Sequence, residues 1–381
     1  MSNAILLAPG PVQLHPEVQK ILAQPMIHHR TPEFDEILQR VMKNLKFFFQ
    51  TQQPVLMHTS TGSGGMESLI VNLMNPGDKV LAIVSGKFGE RWADMAEVYS
   101  GNVHRLKFEW GKSVNPQDVD DFLKKHPDTK LVLTQATETS TATAHDIKKI
   151  GDIVSNSSAL FVVDGITAVG AYDIRMDEWK IDGLVAGSQK AVMLPTGQSF
   201  VCLSQKAWAV CEKVSTARFY FDLRKELKAN KNGETLFSSP VPLIKALDFV
   251  LNRIQQIGLE KHFRQLRRRA DFTRQTAVEM NLKLFSDSPS DSVTALIVPE
   301  GVNGVQFREH LEKKYFLTVM GGQDQLKGKI LRIGHMGYIT DQDMIETMYR
   351  LALGLQDFNI SINPEKIKQI STDWLKANEI E

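Results

Sequence analysis

An α/β fold is predicted, with a large, mainly parallel sheet between helices and a smaller C-terminal α+β module. Three observations predict it. Short apolar runs such as residues 79–84 and 159–163 lack the alternation of half-exposed strands, so they read as strands buried on both faces. Amphipathic helical segments separate these runs as far as residue 257, the βα rhythm of a parallel sheet. Beyond Gly258 the rhythm changes to strands over 294–298 and 330–334 flanking a helix over 304–314. The expected organisation is a large domain over 1–257, opened by an arm over 1–20, and a small domain over 258–381.

The chain has 381 residues, 42% hydrophobic and 23% charged, with a formal net charge of +1, enough for a sizeable core. Neither a basic excess nor an acidic tail points to nucleic acid, and no run is long enough to span a membrane. The first residues lack the charged-then-apolar pattern of a secretion signal, so a cytoplasmic location is expected. Cys202 and Cys211 have no partners at metal-ligand spacing, so no disulfide framework and no metal site are expected.

Residues 5–12 form an apolar stretch stopped by Pro9, Gly10 and Pro11. It reads as an arm docked on the surface, and Gly10 also lets backbone approach a ligand closely. Thr31 and Pro32 start a helix over 32–49 as N-cap and first-position proline, with Phe34, Ile37, Leu38, Val41 and Leu45 on one face. A strand over 54–57 leads into Thr61-Gly62-Ser63-Gly64-Gly65 and a helix. Hydroxyls and free N–H groups at a helix start either bind phosphate or simply cap the helix. The spacing matches neither a P-loop nor a dinucleotide fingerprint.

After the strand over 79–84, Phe88 stands between Gly86 and Gly89 at the ligand edge of a parallel sheet. There an aromatic either stacks on a planar ring or packs beneath the turn. Strands over 103–106 and 131–134 bracket a helix over 115–125, and a hydroxyl cluster, Glu138 to Thr143, follows. After a helix over 146–155, the strand over 159–163 ends in Asp164, whose carboxylate needs a cation if buried. Strands over 184–186 and 198–203 flank Gly187-Ser188-Gln189-Lys190. A lysine in such a tight, partly dry loop suits Schiff-base chemistry; the alternative is an ammonium that reaches solvent.

Helices over 207–216 and 243–257 enclose a polar stretch, 217–240, read as a long loop. Residues 264–269, rich in arginine, read as the solvated face of the next helix. Arg332 lies mid-strand, where a guanidinium needs an acid, and a carboxylate suits its fork. Residues 361–381 read as a polar tail with a weak helix.

Together these supply a phosphate cup, a ring-stacking aromatic, an acid, an amine and a guanidinium, the parts of a pyridoxal phosphate site. Over nearly its whole length the sequence resembles the class V aminotransferases of fold type I. The branch is that of alanine–glyoxylate and serine–pyruvate aminotransferases and the soluble hydrogenase 42 kDa subunit. The resemblance is carried by Pro9-Gly10-Pro11, residues 29–34, Gly86-Lys87-Phe88-Gly89-Glu90-Arg91, Val163-Asp164-Gly165, Ser188-Gln189-Lys190 and residues 331–334. It implies pyridoxal 5'-phosphate as cofactor, Lys190 as its Schiff-base lysine and proton shuttle, and Asp164 as partner of the pyridinium nitrogen. It further implies Phe88 stacked on the ring, Thr61, Gly62 and Ser63 on the phosphate with Gln189 nearby, Thr139 near the ring oxygen, and Arg332 on the substrate carboxylate. A homodimer with its site at the subunit interface follows from the same resemblance, with Ser238 reaching the partner's phosphate. Thr235 stands where relatives carry tyrosine.

The expected substrates are small: alanine or serine as donor, and glyoxylate or pyruvate as acceptor, with Gly10 and Ala8 at the pocket edge. Two other readings compete. One is a different reaction on this scaffold, a 2-aminoethylphosphonate transaminase or a lyase; the other is a non-catalytic subunit of a redox complex.

Overall fold

Seven strands form the central sheet of the computed structural model, which describes residues 4–380. Their spatial order is Val55–His58, Ser199–Leu203, Gly183–Gly187, Leu160–Asp164, Leu131–Gln135, Lys79–Val84 and Asn102–Lys107. Only Ser199–Leu203 runs antiparallel to its two neighbours. Every other pairing is parallel, so the carboxyl ends of the remaining strands share one edge.

Period-two alternation sends successive strand residues to opposite layers. Phe161 and Val163 join one core with the helices Pro32–Phe48, Ile147–Val154 and Val241–Ile257. Leu160 and Val162 join another with Gly62–Leu73 and Lys87–Val98. Thr31 caps its helix as expected, accepting from the Phe34 N–H. Asn115 and Asp146 do the same for Pro116–Lys125 and Ile147–Val154.

The C-terminal module is an antiparallel sheet, ordered Val293–Ile297, Ile330–Gly334, Met320–Gly321, covered by the helices Gly304–Tyr315 and Asp341–Asp357. Gly258 turns the chain at φ +84°, and the helix Leu259–Glu279 starts at once. That helix spans both cores: Leu266 packs in the large one, Phe272 and Ala277 in the small one.

Several local expectations change. The apolar part of the arm is buried rather than docked on the surface, from Ile5 onward; residues 1–3 lie outside the described residues. Ile5–Leu6 pairs in parallel with Leu317–Thr318, and Ile5 and Leu7 enter the small core while Val12 and Val18 enter the large one. The polar stretch over 217–240 contains a helix, Leu223–Lys231, because the Asp222 carboxylate accepts from Arg224 and Lys225 N–H. Within the arginine run, Arg268 and Arg269 are held rather than solvated. Arg268 forms a fork on Asp341, and Arg269 donates to the carbonyls of His335, Gly337 and Ile339. The helix expected in the tail is present as Pro364–Ala377, and it is packed rather than peripheral, burying Ile367, Ser371 and Leu375.

Candidate active site

Five parallel strand ends deliver side chains to one cavity of about 100 Å³. Thr61, Gly62 and Ser63 follow Val55–His58; Phe88 and Arg91 follow Lys79–Val84. Thr139 comes after Leu131–Gln135, Asp164 and Thr167 from the end of Leu160–Asp164, and Gln189 and Lys190 after Gly183–Gly187. Phe88 is half-buried and lines this space rather than packing beneath its turn.

Lys190 Nζ donates to the Pro9 carbonyl at 2.6 Å. Burial lowers its pKa to about 8, helped by Arg332 and Arg91 and opposed by Asp164. Asp164 is 6% exposed, and one of its oxygens accepts from the Ile166 N–H at 2.8 Å. Burial raises its pKa to about 7; Glu138 adds to the rise, while Lys190 and Arg91 oppose it. Among the described residues no cation pairs with this carboxylate within salt-bridge distance.

Gly10 touches the lysine directly. A Cβ built on it would lie 2.4 Å from Lys190 Nζ, and its φ of +123° already favours glycine. Arg332 is 5% exposed and is not among the residues lining the cavity, which it reaches only through its bond to Thr139. Its Nε and one terminal nitrogen donate to the Gly321 carbonyl at 3.0 and 2.9 Å, and its other terminal nitrogen to the Thr139 carbonyl at 3.0 Å. A guanidinium carries five N–H groups, so two remain for a ligand. Thr139 Oγ1 is bonded to Thr167 Oγ1 at 2.8 Å.

Ser238 is not brought to this cavity. It lies with Thr235 and Tyr220 in a separate cleft, and the Thr235 hydroxyl is bonded to Phe237 O and Ser239 Oγ. A larger cavity, of about 340 Å³, sits between Arg253, His262 and Thr340 at the domain junction, and none of the expected site residues line it.

Three site residues have no assigned role in the sequence reading: Arg91, Glu138 and Thr167. Glu138 is fully buried. One of its oxygens accepts from Phe88 and Gly89 N–H, the other from Ser140 N–H and Oγ. Burial pushes its carboxyl up, and the four donors pull it back. The sequence signal was available: an acid followed by two hydroxyls at the carboxyl end of a buried strand.

The residues present fit pyridoxal phosphate. The N-cap Thr61 makes no side-chain cap bond, and the N–H groups of Gly62, Ser63 and Gly64 are free among the described residues. Gln189 lines the same cavity, and its amide NH2, not its oxygen, is the group that could donate to a phosphate. Asp164 lacks the cation that a protonated ring nitrogen would provide. Neither thiol is a ready nucleophile: Cys202 and Cys211 are both buried, and desolvation raises both pKa values, that of Cys211 to about 11. No described helix is long and apolar enough to cross a membrane.

A parallel sheet with a lysine, an acid and a phosphate cup at one edge defines a fold type I pyridoxal-phosphate-dependent enzyme. The chain belongs to the class V aminotransferases, whose family pattern it matches over residues 13–323. It is 34% identical to L-aspartate–glyoxylate aminotransferase of Paracoccus denitrificans, covering 94% of this chain and 92% of that one. With serine–glyoxylate aminotransferase of Methylorubrum extorquens it shares 30% identity over 98% of this chain and 96% of the relative. The crystal structure of ureidoglycine–glyoxylate aminotransferase from Bacillus subtilis superposes with a TM-score of 0.92 at 28% identity, covering 99% of both chains.

Proposed function

We propose that the enzyme moves an amino group from a small amino acid, alanine or serine, to a small 2-oxo acid, glyoxylate or pyruvate, by a ping-pong mechanism. The observation that carries this reading is the Lys190 amine, buried in one cavity with Asp164 and the helix start at Thr61, Gly62 and Ser63, where burial lowers its pKa. Pyridoxal phosphate would supply an electron-withdrawing ring that stabilises negative charge developing at the substrate Cα.

The chain's own residues do the rest. Thr61, Gly62, Ser63 and Gln189 would hold the phosphate, Thr139 the ring oxygen, Phe88 the ring face, and Lys190 the aldehyde. Asp164 would keep a proton on the ring nitrogen, since that positive charge would stabilise its buried carboxylate. Lys190 Nζ takes the proton from Cα and returns one during transfer. The two open N–H groups of Arg332 grip the substrate carboxylate and so fix the Cα proton relative to Lys190.

Pro9 and Gly10 lie against Lys190, which supports a donor with a short side chain. Glyoxylate occurs in the names of all three relatives above, which supports it as acceptor. Their donors differ, so the donor has to be measured. A homodimer is supported by exposed Phe219, Tyr220 and Phe237 beside Ser238, with Tyr220 stacked on Phe237 and Phe219 tilted against it. In that dimer Ser238 would serve the partner's phosphate.

The test is the absorption spectrum of the purified enzyme with L-serine, L-alanine and L-aspartate in turn. A visible cofactor band that one small donor bleaches and glyoxylate restores is the expected result. Bleaching by L-aspartate alone overturns the small-donor reading, and no band after added pyridoxal phosphate overturns the assignment itself.

A further inference from the structure

Arg91 lines the same cavity as Thr61, Gly62, Ser63 and Lys190, one helical turn beyond Phe88. One of its terminal nitrogens donates to Ser63 Oγ at 3.2 Å, and its guanidinium carbon lies 4.8 Å from the Phe88 ring centroid. Among the described residues it has no ion pair. Glu90 is engaged with Arg105 and Lys107, Asp94 with Arg105, and Glu67 with Tyr99, while Asp164, across the same cavity, feels the Arg91 charge but forms no ion pair with it.

A half-buried guanidinium without a carboxylate, turned toward a helix start, awaits an anion. The phosphate ester carries a charge of about −1.5 to −2 at neutral pH. The helix Gly62–Leu73 offsets roughly half a charge. Ser63, Gln189 and the free N–H groups supply hydrogen bonds but no formal charge; of the two cations lining the cavity, Lys190 is bonded to the Pro9 carbonyl and Arg91 to Ser63 of the cup.

We infer that Arg91 is a phosphate-binding residue of this site, exchanging its bond to Ser63 for a charged bond to the cofactor's phosphate group. Phe88 holds the guanidinium in place by the cation–π contact, so one helical turn serves both the ring face and the phosphate. Arg91 then sets how strongly the protein prefers phosphorylated over unphosphorylated cofactor. The inference rests on the pyridoxal phosphate reading of the site.

The experiment compares the affinity of cofactor-free protein for pyridoxal 5'-phosphate and for pyridoxal, which has the aldehyde but no phosphate, by quenching of tryptophan fluorescence. In Arg91→Met the preference for the phosphorylated form should fall roughly 10- to 100-fold, the range for loss of a charged hydrogen bond. Affinity for pyridoxal should stay within about three-fold. Arg91→Lys, which keeps the charge, should retain most of the preference and provides the test if the methionine variant does not fold.

An unchanged preference in Arg91→Met overturns the inference. Equal weakening toward both compounds also overturns it, because the guanidinium would then act on pocket shape. Loss of preference in Arg91→Lys equal to that of a folded methionine variant would remove charge as the cause and overturn it too. Failure of the unaltered protein to bind pyridoxal phosphate would instead overturn the underlying reading of the site.

Discussion

Replacing Lys190 with methionine tests whether the site stores energy in a dry amine. The folded protein holds this amine at about 8 against an ordinary value of 10.5. That gap corresponds to about 3 kcal/mol of folding free energy lost wherever the amine is charged in both states. Methionine keeps the length and the apolar stem but removes the charge. It also leaves the Pro9 carbonyl without its donor, which costs about 1 kcal/mol. The cofactor-free Lys190→Met protein should therefore be about 2 kcal/mol more stable at pH 7.5.

The sign of the pH dependence follows. A lowered folded pKa means the unfolded chain binds more protons between about 8 and 10.5, so the unaltered protein gains stability as pH rises through that window. Lys190→Met gains none from this group, and its advantage should vanish near pH 10.5. Asp164 works in a different window: its pKa is raised from 3.8 to about 7, so its contribution fades as pH rises from about 4 to 7. Urea midpoints of cofactor-free protein at pH 7.5 and 10.5 provide the assay. A destabilised methionine variant, or an advantage that does not change with pH, would refute the claim that Lys190 is held in a desolvating pocket.

Two further substitutions probe the edges of the site. Gly10→Ala puts a methyl group 2.4 Å from Lys190 Nζ at φ +123°, a combined strain of about 1–3 kcal/mol. Formation of the visible cofactor band in stopped-flow mixing should slow about ten-fold or more, and an unchanged rate would show that the arm does not press on the lysine. Arg332→Lys loses the fork that leaves two N–H groups open, so KM for a carboxylate-bearing donor should rise about 10- to 100-fold. Steady-state kinetics with the donor and with its decarboxylated amine separate the cases, since only the carboxylate-bearing substrate should be affected.

The sheet was legible because all its strands except the edge strand Asn102–Lys107 are buried on both faces, and unbroken apolar runs such as 79–84 and 159–163 have no other economical reading. The residues grouped in the cavity were legible for a related reason: each sits just past such a run, and parallel strands end on one edge. What stayed hidden depends on long-range partners. The helix Leu223–Lys231 is polar almost throughout, and only the Asp222 cap marks its start. Arg269 looked solvated because the carbonyls it satisfies lie some 70 residues further along the chain. The arm looked peripheral because the Leu317–Thr318 strand that pairs with it is two residues long.

Glu138 shows how that hidden layer supports the visible one. One of its oxygens locks the first turn of Lys87–Val98 by accepting from the N–H groups of both Phe88 and Gly89. The fit is close enough that a Cβ on Gly86 would lie 2.5 Å from the Glu138 carboxyl carbon and 2.4 Å from Ser140 Oγ, and one on Gly89 would lie 2.8 Å from the Ile83 carbonyl. The two glycines that frame Phe88 are thus explained by close approach of two strand ends. Thr139, the next residue, lends its carbonyl to Arg332. One short segment therefore joins the aromatic of the large domain to the guanidinium of the small one. Because that connection runs through a buried acid and backbone groups, the relative placement of Phe88 and Arg332 is set by rigid contacts, not by the flexible side chains themselves.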